Sequence, residues 1–186
     1  MHTTIYFIRH ADSHFVLGKE RERPLSEEGV LAAGKLVSSL QNVHFDAVFS
    51  SPYKRAIQTL DGLVDPVDII LEEDLRERTL KGPYKLTAEE IDLAIKQSFE
   101  NVDYCLDGGE SVRQVQYRAL PVIFGILENQ NYNTVAIGTH GNIMTSIINY
   151  FDDTIGYSFW KSTKKPDIHK LVFNSFHLIS IKKITF

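Results

Sequence analysis

Three short apolar runs, each delivered straight into a polar turn and then a helix-like segment, constrain this chain more than any other feature. They are TIYFI at 4–8, AVFS at 47–50 and TVAIG at 134–138. Their β-branched and aromatic content reads as strand, and their lack of polar alternation reads as burial on both faces. The segments that follow two of them, from Ser51 and from Gly141, change to helical periodicity. Such alternation predicts an α/β fold, a three-layer sandwich around a mostly parallel sheet. In open sheets of this kind ligands gather beyond the carboxyl ends of the strands. The residues just after each run are therefore the first place to look for chemistry.

Further elements fit the same scheme. Ser26 is a suitable N-cap for a helix over EEGVLAAGKLVSSL, with Glu27 and Glu28 near its positive end. Residues 68–71 predict a short strand, TAEEIDLAIKQSF a helix, and 111–129 a longer helix bent at Pro121. LVFN and HLISI predict two closing strands around a turn at Asn174 and Ser175. No repeat, low-complexity tract or linker interrupts the 186 residues. The expectation is a single domain over 1–186, with a small helical lid segment around 78–108.

Composition narrows the function classes. Twenty basic and 24 acidic residues give a formal charge of -4, which offers no long-range attraction for nucleic acid. Cys105 is the only cysteine, so an internal disulfide and a cysteine metal cluster are both excluded. The amino-terminal run reaches Arg9 and His10 before a signal-like apolar core develops, and no later run is long and uncharged enough to span a bilayer. A cytoplasmic enzyme without membrane or nucleic-acid partners is the expectation, its oligomeric state left open.

Four segments carry candidate chemistry. RHAD at 9–12 places an imidazole able to attack phosphorus beside a planar, permanently charged guanidinium. SSPYKRAIQT at 50–59 offers Ser51, backbone donors and Arg55 near a helix start, an arrangement suited to an anion. DLRER at 74–78 contains Glu77, which has the chemistry to protonate a departing alkoxide. GTHGN at 138–142 supplies His140, able to donate to a phosphate oxygen, and Gly141, which permits close approach. Each segment alone also reads as an ordinary strand end or solvated charge patch. Together, three strand ends offer Arg9, His10, Arg55 and His140 to one dianion.

In that combination the chain resembles the histidine phosphatase, or phosphoglycerate-mutase-like, superfamily over nearly its whole length. RHAD matches the Arg-His-Gly-Glu or Arg-His-Ala opening, RPLSEEG at 23–29 the next turn and helix, and SSPYKRAIQT the second phosphate-binding segment. DLRER, GGES at 108–111 and THGN at 139–142 follow in the family's order. The resemblance implies that His10 is the nucleophile, Glu77 the proton donor and His140 the second catalytic histidine. It further implies phosphate binding by Arg9, His10, Arg55, His140 and Gly141. Val16 stands where many relatives have Asn, which removes one secondary phosphate contact.

The implied activity is metal-independent, cofactor-free hydrolysis of a small phosphorylated metabolite through phosphohistidine. A phosphoglycerate mutase and a catalytically weak phosphate-binding regulator are the alternatives. The compact length favours hydrolysis over mutase chemistry, and the segment after Glu77 favours a metabolite over a phosphoprotein. Phe99, Tyr104 and Tyr84 are candidates to line the lid. Lys54 and Arg78 are candidate rim residues outside the core site, with plain solvent-facing charge as the alternative.

Overall fold

The computed structural model describes residues 2–16, 18–65 and 68–186. Six strands form one sheet: β1 (His2–Arg9), β2 (Ala47–Ser50), β3 (Ile69–Leu71), β4 (Thr134–Thr139), β5 (Asp167–Asn174) and β6 (His177–Ile184). Their spatial order is β3-β2-β4-β1-β5-β6. The first four run parallel, while β5 lies antiparallel to β1 and β6 antiparallel to β5. The three runs that anchor the sequence reading thus become the adjacent strands β2, β4 and β1.

Alternation within β1 divides the core into two. Ile5 and Phe7 pack on one face with residues of α4 (Val112–Glu128) and α5 (Gly141–Phe151). Tyr6 and Ile8 pack on the other with Leu36 of α1 (Glu27–Ser39) and Leu60, which ends α2 (Lys54–Thr59). Because successive side chains point to opposite faces, a strand buried on both sides must be apolar throughout. Helices on each face of the mostly parallel sheet complete the expected three layers.

Helix boundaries follow their caps. Ser26 accepts from the Gly29 N–H, as its position before the acidic pair predicts. Thr87 and Ser111 each form a reciprocal capping box, with Glu90 and Gln114, at the starts of α3 (Ala88–Glu100) and α4. Pro121 lies inside α4, and the helix continues past it to Glu128. The short α6 (Tyr157–Ser162) has no counterpart in the sequence reading. Six residues are too few to display a helical period.

The segment 78–108 contains α3 between two loops. α3 is tied to α6, since Tyr157 and Lys161 both bond Asp92. Phe99 packs against Gly156, and Tyr84 lies under the Lys81 ammonium and donates to the Asp107 carbonyl. None of Phe99, Tyr104 or Tyr84 lines the cavity beside Glu77 described below. Among the described residues, no helix is long and apolar enough to cross a membrane.

Candidate active site

The ends of β1, β4 and β2 stop level with one another. Arg9 pairs with Thr139, and Ser50 with Gly138. The ladder extends one step further, with His10 N–H donating to Thr139 O and Ser51 N–H to Gly138 O, both at 2.9 Å. His10, His140 and Ser51 consequently leave the sheet side by side. The parallel register, rather than any single motif, assembles the site.

His10 is buried, and its Nδ1 lies 2.6 Å from the Ala11 carbonyl oxygen. A carbonyl only accepts, so Nδ1 carries the proton and Nε2 keeps its lone pair. The Arg55 Nε–H donates to that Nε2 at 3.2 Å. Burial, then Arg55, then the more distant Arg9 and Lys165 hold the His10 pKa well below the usual imidazole value, against the opposing bond to Ala11. The ring is therefore neutral at physiological pH, the state in which nitrogen is nucleophilic.

His140 is fully buried, with Nε2 2.8 Å from Ser51 Oγ. Its Nδ1 has no hydrogen-bond partner among the described residues. Burial, followed by His10 and Arg55, also pushes its pKa well below the usual range. Ser51 thus orients a histidine, which differs from the phosphate contact its place in the sequence implied. Tyr53 adds a second support. Its ring centroid is 5.1 Å from that of His140, and the Arg55 guanidinium lies 4.9 Å over its face.

Arg55 is 2% exposed, held also by the Glu20 carbonyl, and lowered to about 10 by burial and by Arg23. It remains charged at neutral pH. Arg9 is fixed differently, its Nη1 donating to both the carbonyl and the hydroxyl of Thr163. Its guanidinium lies against Gly141, where a Cβ would stand 2.9 Å from Arg9 Cζ. The close approach that Gly141 permits is that of Arg9. The Arg9 Nε is buried without an acceptor among the described residues.

Glu77 reaches the opposite side of the site. Its Oε1 accepts from Arg78 N–H (2.8 Å) and Ile143 N–H (3.0 Å), and Oε2 from Asn142 N–H at 3.2 Å. The carboxyl group is seated at the amino terminus of α5, on the N–H groups of Asn142 and Ile143. Arg78 is a correction to the sequence reading. Far from facing solvent, it is 4% exposed and donates to Ser98 Oγ and to the Glu110 carbonyl. Lys54 does face solvent.

The remaining motif residues build the frame. Gly29 packs on the Asp12 backbone so closely that a Cβ would lie 2.2 Å from Asp12 O, while Ser26 Oγ donates to the Asp12 carboxylate. Thr59 Oγ1 accepts from the Ala11 N–H. RPLSEEG and the end of SSPYKRAIQT therefore clamp the RHAD turn from two sides. GGES clamps the Glu77 loop, since a Cβ on Gly109 would meet Leu80 O at 2.3 Å and Gly108 has a φ of +68°. Arg118 adds bonds to the Asp74 and Arg76 carbonyls.

The sequence reading missed the loop after α6. Thr163 grips Arg9, and Asp167, the first residue of β5, pairs with Arg9 across the sheet. Between them Lys165 stands among Arg9, Asp12, Arg23 and Arg55, and together with Arg55 and Arg9 it lowers His10. Nothing in KSTKKPD distinguishes this lysine from its neighbours, so local pattern held no signal for it. Arg23, quoted only as part of a turn, likewise faces the site, its Nη1 donating to Ser13 O.

Residues 5–172 match the family model described as histidine phosphatase superfamily (branch 1), and the chain belongs to that superfamily. No curated protein matches it. A mycobacterial glucosyl-3-phosphoglycerate phosphatase shares the fold at a TM-score of 0.76 and 19% identity, over 98% of this chain and 97% of that one. Bacillus stearothermophilus YhfR gives 0.73 and 25%, over 95% and 94%. A phosphoglycerate mutase from Bacillus anthracis str. Sterne gives 0.75 and 19%, over 98% and 92%.

Proposed function

We propose that this chain is a phosphomonoester hydrolase that acts through phosphohistidine at His10 on a small phosphorylated metabolite, without a metal. The observation that carries the reading is the His10 ring: neutral, buried, protonated at Nδ1 and presenting Nε2 beside Arg55. Buried donors without acceptors, as at Arg9 Nε, cost on the order of 1–3 kcal/mol each. A phosphoryl group lying between Arg9, Arg55 and His140 recovers that cost, with His140 donating from Nδ1.

In the proposed reaction Arg55 transfers its hydrogen bond from His10 Nε2 to a phosphoryl oxygen. Nε2 then attacks phosphorus in line with the departing ester oxygen. Arg9, Arg55 and His140 meet charge on the nonbridging oxygens, an electrostatic contribution made in advance of the chemistry. Glu77 gives its proton to the leaving oxygen as the P–O bond breaks. It next takes a proton from water, which attacks phosphorus, breaks the P–N bond and releases inorganic phosphate.

The test follows free phosphate and transferred phosphate together across a phosphomonoester panel, in wild type and His10→Ala. Metal-free phosphate release that requires His10 supports hydrolysis. His10-dependent isomerisation without release assigns mutase chemistry instead. Phosphate binding with no turnover and no phosphohistidine in rapidly quenched samples replaces both with a binding role.

A further inference from the structure

Charge around the site is segregated. Arg9, Arg55 and Lys165 act on His10 from one side, and Arg23 acts on Arg55 and Lys165. On the other a cavity of about 530 Å³ opens beside Glu77, walled by Phe15, Tyr53, Leu80 and Pro83 and by the backbone of Gly82 and Gly108. Tyr53 is common to both sides, its ring meeting His140 at 5.1 Å and facing the cavity. Phe15 is 69% exposed, an aromatic ring held at the mouth against Arg23 with 5.9 Å between guanidinium and ring centre.

The charged groups in this wall are of a particular kind. Glu20 and Glu77 are acidic. The two cations are both engaged by protein: Arg78 by Ser98 and Glu110, and Lys81 by the Gly82 carbonyl and the Tyr84 ring. A carboxylate entering here must compete with protein acceptors for both cations, and Glu20 is already paired with Arg23 at 3.2 Å. An uncharged ring or alkyl chain meets aromatic and aliphatic surface, including the exposed Phe15, which gains by being covered. The volume is that of a site for a sizeable organic group, well beyond a three-carbon acid.

We propose that this cavity is the leaving-group site and that it selects phosphomonoesters of bulky, uncharged alcohols over those bearing a carboxylate close to the ester. The assignment rests on the hydrolase reading above and gives it a substrate class. It places the phosphoryl group among the cations and the alcohol across Glu77, with its apolar portion between Phe15, Tyr53 and Leu80.

The experiment uses two primary alkyl phosphates of matched leaving-group basicity, one ending in phenyl and one in carboxylate three carbons from the ester oxygen. The expected kcat/KM ratio is about 30-fold in favour of phenyl, from burying one ring. Phe15→Ala reduces the ratio to within about fivefold, and Phe15→Lys, a change at an exposed position, shifts preference towards the carboxylate. Calorimetry with the two corresponding phosphonates measures the same ranking without turnover. Phenyl preference in binding with no hydrolysis of either phosphate overturns the hydrolase reading and leaves the cavity assignment standing. Equal or tighter binding of the carboxylate by the wild-type protein overturns the assignment, whatever the turnover.

Discussion

The rings of His10 and His140 meet at 5.1 Å between centroids, inclined by 63°, and are oriented by unlike partners. His10 gives its Nδ1 proton to the adjacent Ala11 carbonyl, whereas His140 is fixed through Nε2 by Ser51, 89 residues away. One ring consequently offers Nε2 to the site and the other Nδ1. Both are kept neutral by burial and by neighbouring positive charge. The difference in orientation gives a physical basis for an attacking histidine beside a donating one.

Arg55 sets the His10 protonation state after burial itself. Because the guanidinium lowers the His10 pKa, Arg55→Ala raises it towards the ordinary value near 6.5. The sign is fixed, since removing a positive neighbour favours the protonated ring. NMR titration of the His10 imidazole is expected to show this rise, and the acid limb of kcat/KM is expected to move to higher pH with it. An unchanged or lower His10 pKa in the variant contradicts the arrangement.

Lys165 adds positive charge to the phosphate side from a loop remote in sequence. Lys165→Met is expected to weaken competitive inhibition by inorganic phosphate by about tenfold, corresponding to about 1.4 kcal/mol, while thermal stability changes little. Lys165→Arg is expected to retain most of the affinity, because the contribution is charge rather than shape. Phosphate inhibition that is the same in wild type and Lys165→Met counts against it.

Gly141 leaves room for Arg9. In Gly141→Ala the new methyl group displaces a guanidinium already tethered to Thr163. A loss of roughly 100-fold in kcat/KM is expected, of the size seen when positioned groups are misplaced by about an ångström. Circular dichroism and melting temperature should stay near wild type, because alanine suits a helix terminus. Wild-type turnover in this variant would sink the assignment of Arg9 to the reaction.

Asp167 ties β5 to β6 beneath the Lys165 loop. Burial alone would raise its pKa, but His169 at 3.4 Å and the bonds from Lys183 and the Lys164 N–H outweigh burial and hold it at about 2. A depressed carboxyl pKa stabilises the fold above the unfolded value near 3.9, and that stabilisation fades as pH falls from about 4 to 2. Lys183 is half exposed, so the expected contribution is about 1–2 kcal/mol. Asp167→Asn is expected to lose about that much at pH 7 and to flatten the acid side of the stability curve, as read from urea denaturation across pH.

Strand and helix identities were legible in the chain because they rest on local period. TIYFI, AVFS and TVAIG declare buried strands by composition, and Ser26 declares a helix start by its place before two glutamates. The meeting of the candidate residues at one edge was legible for a related reason. Open parallel sheets put function at strand ends, so RHAD, SSPYKR and GTHGN could be assigned to one edge before their distances were known. α6 escaped because one and a half turns carry no period.

By itself, then, the sequence determined the layers, the strand ends and the residue types that meet there. Tertiary structure alone decided how those residues are held: Arg9 by Thr163 across 154 positions, Glu77 by the Ile143 N–H across 66, and Arg78 buried against Ser98 and Glu110. It also decided that Lys165 joins the cations and Phe15 the opposite wall. The physical reason is that propensity and periodicity act over a few neighbouring residues. Side-chain direction, burial and charge environment are fixed by whichever distant segment the assembled sheet brings alongside.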